Sequence, residues 1–156
     1  MSTLRFNTWQ NTGGTEVANS TLGTGKILQV VTATTTAEES TTSTTHVATA
    51  LSVSITPTSS SSKILVFFTT PRFGASTSAN AYLTLFRDGV DLAVSQGFVV
   101  LNTGASVSAP ANFFVEDSPA TTSSVTYNIR FSTSAGTVYI YRSNNGGSLT
   151  AMEVAA

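Results

Sequence analysis

From Lys26 onward the chain is written in short β-branched and aromatic runs cut by clusters of Gly, Pro, Asn and Ser, and nowhere does a helical apolar period of about 3.6 residues persist. Runs this short cannot bury a face alone. They must pair with one another, so the chain is expected to be all-β with almost no helix.

The expected strands are Lys26–Thr32, Val47–Ile55, Lys63–Thr70, Ala81–Arg87, Val90–Gln96, Phe98–Leu101, Asn112–Glu116, Val125–Ser132, Thr137–Arg142 and Leu149–Val154. About 8–10 short strands of this kind imply an antiparallel β-sandwich. Asp88-Gly89 and Asn144-Asn145-Gly146-Gly147 sit between strand-like runs and tolerate the positive φ of tight hairpins. Two stretches echo each other: Pro57 through the serines to Lys63–Val66, and Pro119 through Ser124 to Val125–Ile129. They are expected to be equivalent loop-to-strand corners of the sandwich, not an internal repeat.

A length of 156 residues fits one head domain, expected over residues 26–156. Residues 1–25 form a different kind of segment. They are rich in Gly, Thr and Asn, with Leu4, Phe6, Trp9, Val17 and Leu22 as the apolar subset, too few for a core. Such a segment gains most by docking on a larger assembly or on other copies of the chain, which makes Leu4, Phe6 and Trp9 candidate anchor residues.

Within the head, Val125, Tyr127, Ile129 and Phe131 alternate cleanly with Thr126, Asn128 and Arg130, giving one core face and one wet face. Other strands are apolar on both sides. Phe67 lies opposite Val66 and Phe68, Phe113 adjoins Phe114, and Tyr139 and Tyr141 alternate with Val138 and Ile140. A single sandwich covers one face of each sheet, so Phe67, Phe113, Phe114, Tyr139 and Tyr141 are candidate inter-subunit residues.

Composition narrows the chemistry. Charged residues make up 10 % of the chain, whereas Ser and Thr fill roughly a third of it, so polarity comes from hydroxyls. A net charge of -1 without a basic cluster gives neither a phosphate-neutralising patch nor a polybasic anchor, so no nucleic acid and no membrane insertion is expected. The start lacks the apolar region of a signal peptide, and synthesis in the cytosol is expected. No cysteine is present, which removes disulfides, thiolate metal sites and cysteine nucleophiles.

No motif supplies a catalytic centre or cofactor site. Gly23-Thr24-Gly25-Lys26 lacks the first glycine and the final Ser or Thr of a phosphate loop. His46, the sole histidine, reads as a solvated loop residue. Asp88 with Asp91 offers too few oxygens for calcium. Glu116 and Asp117 point to opposite faces of an extended chain, and with Glu153 they read as solvated charges, not as a glycosidase pair. The expectation is a non-enzymatic protein with no cofactor and no metal.

The opening Ser2-Thr3-Leu4-Arg5-Phe6-Asn7-Thr8-Trp9-Gln10-Asn11-Thr12-Gly13-Gly14-Thr15 resembles the N-termini of small tail-fibre-like virion proteins of cyanophages and related aquatic tailed phages. The resemblance continues through Lys26–Val31, Ile55-Thr56-Pro57, Ser62–Val66, Phe86–Gly89 and Leu149–Val154. It implies a homotrimer in the virion, with the N-terminal segment on the particle and a jelly-roll-like head facing outward to a host surface glycan or protein. Loops Phe73–Ala79 and Leu101–Ala109 are the expected recognition loops. No coiled coil, collagen repeat or β-helix period supplies a shaft, so a capsid decoration (cement) protein at three-fold positions is the alternative. The other virion partners would be tail, baseplate or major capsid proteins.

Overall fold

A computed structural model describes residues 25–156 apart from 77–78, 94–95 and 142–145. The candidate anchor residues Leu4, Phe6 and Trp9 lie outside the described residues, as do Asn144 and Asn145 of the second expected turn.

The described chain is all-β. Its strands are β1 (Ile27–Thr35), β2 (Glu39–Thr41), β3 (Val47–Ile55), β4 (Lys63–Ala75), β5 (Ala79–Arg87), β6 (Val90–Asp91), β7 (Val99–Thr103), β8 (Val107–Asp117), β9 (Val125–Thr133), β10 (Val138–Ile140) and β11 (Gly147–Val154). They form two sheets, antiparallel throughout. The first runs β1-β11-β4-β8, with β10 and then β2 continuing beside the far end of β4. The second runs β3-β9-β5, with β6 and β7 following one another along the outer side of β5. The long strands therefore alternate between sheets in the jelly-roll order, β1-β11-β4-β8 over β3-β9-β5-β7.

The two echoing proline stretches turn out to be the same device. Residues 56–62 carry the chain from β3 in one sheet to β4 in the other, and residues 118–124 carry it from β8 back to β9.

The core lies where the inner faces meet. β3 contributes Leu51, Val53 and Ile55, β4 contributes Ile64, Val66 and Phe68, and β9 contributes Val125, Tyr127, Ile129 and Phe131, all buried. The alternation expected of β9 is thus observed. The Asp88-Gly89 hairpin is also formed, with φ of 48° and 87° at the two turn residues.

The strand limits depart from expectation where non-local pairing decides them. β4 runs five residues past Thr70 and through Pro71, because no ladder needs that proline's missing N–H. Pairing with β11 ends at Thr69, pairing with β10 begins at Phe73, and the β8 register shifts between Thr70 and Phe73. The expected strand Val90–Gln96 shortens to Val90–Asp91, because the Asp91 carboxylate takes the Ala93 N–H at 3.0 Å and turns the chain. β2, which has little strand propensity, exists only through its pairing with β10. The expected recognition loops are mostly strand: Phe73–Ala75 belongs to β4, Leu101–Thr103 to β7 and Val107–Ala109 to β8.

The hydroxyls do structural work that charges do elsewhere. Thr35, Thr41, Ser59 and Thr121 each accept the backbone N–H two residues on, closing loops locally. In β3 a bulge between Ala48 and Ser52 breaks the ladder with β9, and Asn128 repairs it by donating Nδ2 to the carbonyls of Thr49 (3.0 Å) and Leu51 (3.1 Å). Asn128→Ala leaves both acceptors without a donor and is expected to cost about 2 kcal/mol, measured by urea unfolding. A loss under about 0.5 kcal/mol would mean that water replaces the amide without penalty.

Candidate binding faces of the sandwich

The outer face of the first sheet follows from its register. Thr32 pairs with Thr150, Thr150 with Phe67 and Phe67 with Phe114, so a row runs straight across β1, β11, β4 and β8. The next row is Val30, Met152, Leu65 and Glu116, and the row on the other side is Thr34, Ser148, Thr69 and Asn112. Phe114 is 53 % exposed, Val30 54 % and Phe67 39 %. The rings of Phe67 and Phe114 lie 4.9 Å apart and sit beside a groove of about 410 Å³ bordered by Thr69, Asn112, Ser148 and Thr150. At one end of this face Lys63 meets Glu116 at 3.5 Å.

Of the candidate inter-subunit residues, Phe67 and Phe114 therefore share one open apolar face. Phe113 points the other way. It is half-buried between Phe68 and Phe98, with centroids 5.1 Å from each. Tyr139 is half-buried on β10. Tyr141 must be corrected: it is 0 % exposed, and its hydroxyl meets Thr49 Oγ1 at 3.3 Å inside the monomer. The positive φ of 58° at Tyr141 ends the two-residue alternation of β10, so the ring turns inward instead of outward. Burial raises its pKa above the ordinary tyrosine value.

Two carboxylates expected in solvent are structural. Glu153 shares the inner face of β11 with Leu149 and Ala151 and is 0 % exposed. Gln29 Nε2 donates to it at 2.6 Å, and Thr58 donates its N–H at 2.7 Å and its hydroxyl at 2.8 Å. Burial pushes the Glu153 pKa up, but these donors outweigh it and hold the carboxyl at about 2. Asp117, at the end of β8, crosses to the second sheet. Arg87 Nη1 reaches both its oxygens at 2.7 Å, and the Tyr127 hydroxyl donates at 2.6 Å. Burial and the Asp117 carboxylate together raise the Tyr127 pKa. In Arg87 burial works against the charge, yet Asp117 holds the guanidinium above its usual value.

The outer face of the second sheet carries a different group. His46 lies on the loop before β3, as expected, but is half-buried: its Nδ1 lies 2.9 Å from Ser132 Oγ, and its ring meets Phe86 edge-on at 6.2 Å. The Arg130 guanidinium lies 4.1 Å from the centre of the same Phe86 ring. Sequence reading missed this group because His46 and Ser132 are 86 positions apart and neither sits in a motif. Ser132 itself is 2 % exposed within β9. Asp88 and Asp91 serve the backbone, receiving the N–H groups of Thr126 and Ala93.

No protein family matches the sequence, and none of the curated proteins matches it. Function has to be read from these faces.

Proposed function

We propose that this chain is a non-enzymatic virion protein of a tailed phage, acting as a homotrimeric, tail-fibre-like appendage that contacts the host surface. The observation that carries the reading is the open aromatic face of the first sheet. An exposed Phe67–Phe114 pair, flanked by Val30 and Leu65 and bordered by hydroxyls, is costly to leave in water and cheap to desolvate against a copy of itself. The sparse charge of the chain fits that use, because few ions would need to be stripped of water on association. The N-terminal residues Leu4, Phe6 and Trp9 would attach the trimer to the tail or baseplate, leaving the second sheet and the loops outward.

Light scattering of the purified protein is expected to give about three times the chain mass of 16.2 kDa. Phe67→Ser combined with Phe114→Ser is expected to weaken association by about two orders of magnitude or more, with the fold retained. A clean monomer for the wild type would sink the trimer. Electron microscopy of virions with and without the protein tests its place. Density lost at the tail or baseplate supports the appendage, and density lost across the shell makes it a capsid decoration protein instead.

A further inference from the structure

Among the described strands β1 pairs only with β11 and forms one edge of the first sheet, while β8, pairing only with β4, forms the other along most of its length. The outward side chains at these two edges differ. At the β8 edge Phe67 and Phe114 stand beside the groove of about 410 Å³ that Thr69, Asn112, Ser148 and Thr150 border. At the β1 edge Ile27 and Val30 lie opposite Val154 and Met152 and are 53 % and 54 % exposed. Between the edges, Met152 and Leu65 are half-buried by their neighbours.

Each edge supplies what the other lacks. Ile27 and Val30 are branched aliphatic knobs on a strand with no described strand beyond it, free to project into another molecule. The β4–β8 edge offers aromatic rings and a groove. No charged residue occurs from Ile27 to Thr35, and hydroxyls and one amide border the groove, so the two edges can meet without stripping an ion of water. Their exposed apolar areas match, on the order of 200 Å² at each edge, a fit centre for the roughly 800 Å² that each partner of a stable interface covers.

Symmetry decides how such patches are used. In a ring of three, each copy meets its two neighbours through two different patches, whereas a patch that pairs with itself across a two-fold axis stops at a dimer. We propose that Ile27 and Val30 of each copy seat against Phe67 and Phe114 of the next, head to tail around the three-fold axis. This pairing rests on the trimer reading above, names the partner of the aromatic pair, and brings Ile27 and Val30 into the subunit contact.

The test is a charge exchange, read by analytical ultracentrifugation of the full chain. Val30→Asp sets a carboxylate against the neighbour's rings and Phe114→Lys sets an ammonium against aliphatic carbons, and each alone is expected to weaken association about 100-fold or more. The double variant Val30→Asp/Phe114→Lys sets opposite charges against each other between copies and is expected to regain about tenfold or more over either single one. Both positions are more than half exposed, so the fold is expected to hold, checked by circular dichroism. Where a charge variant does not fold, cysteines at the same two places serve instead, since the chain has none of its own. Within one copy Val30 and Phe114 stand three strands apart, roughly 14 Å or more, too far for an internal disulfide. Oxidised Val30→Cys/Phe114→Cys is therefore expected to give covalent trimers, and Phe114→Cys alone no cross-link. The head-to-tail contact is overturned, with the trimer left standing, by single charge variants that associate like the wild type, by a double variant no better than the single ones, by a double-cysteine variant that does not cross-link, or by dimers from Phe114→Cys alone. A wild-type monomer removes the trimer itself and this contact with it.

Discussion

Replacing Glu153 by glutamine is expected to cost about 3 kcal/mol of stability near neutral pH and almost nothing once the pH has fallen below about 2. Glutamine imitates the protonated acid, and its NH₂ has only donors to meet at the side where Thr58 and Gln29 already donate. In the folded chain the carboxyl titrates at about 2, against an ordinary value of 4.5. Between those values the unfolded chain binds more protons than the folded one. The stabilisation is therefore complete above about 4.5 and is lost as the pH falls through about 2. Other carboxylates titrate over the same range, so the informative quantity is the difference between wild type and variant in urea unfolding at each pH. Parallel curves for the two proteins would show that Glu153 gains nothing from being ionised.

Asp117→Ala is the second large effect, expected at about 3 kcal/mol, because it leaves both Arg87 and Tyr127 without their partner. The side chains of Arg87 and Asp117 are 25 % and 12 % exposed, which places the loss at the lower end for a buried ion pair. The cost has a topological reason. Asp117 ends β8 in the first sheet, and Arg87 and Tyr127 are cross-strand partners in the second, so this contact fastens one open end of the sandwich. Arg87→Met added to Asp117→Ala removes the orphaned cation and is expected to recover part of the loss, measured by thermal unfolding in a double-mutant cycle. Glu116→Ala, one residue away on the solvent side, serves as the control at about 0.5 kcal/mol or less. Equal losses at positions 116 and 117 would reduce the contact to an ordinary surface pair.

Much of the fold was legible because it is local. Alternation in β9 named its buried face, Asp88-Gly89 named its hairpin, and the two proline corners marked where the chain changes sheets. Phe67 and Phe114 could be recognised as outward-facing from the same period of two, since each follows an inward-facing neighbour. That they stand side by side could not be read, because the β4–β8 register joins residues 47 positions apart through ladder hydrogen bonds that carry no side-chain signature.

The sequence alone determined the fold class, the approximate place of most strands, the lack of thiol chemistry and a polarity built on hydroxyls, all properties of residue type and short-range period. Only the tertiary structure decided that Glu153 stands in a core column, since its donors come from β1 and the β3–β4 corner. It likewise decided that Tyr141 turns inward, that β2 exists, and that His46, Ser132 and Arg130 gather around Phe86. The physical reason is common to all of these. A strand's pattern states which residues share a face, but what covers that face depends on pairing between distant segments.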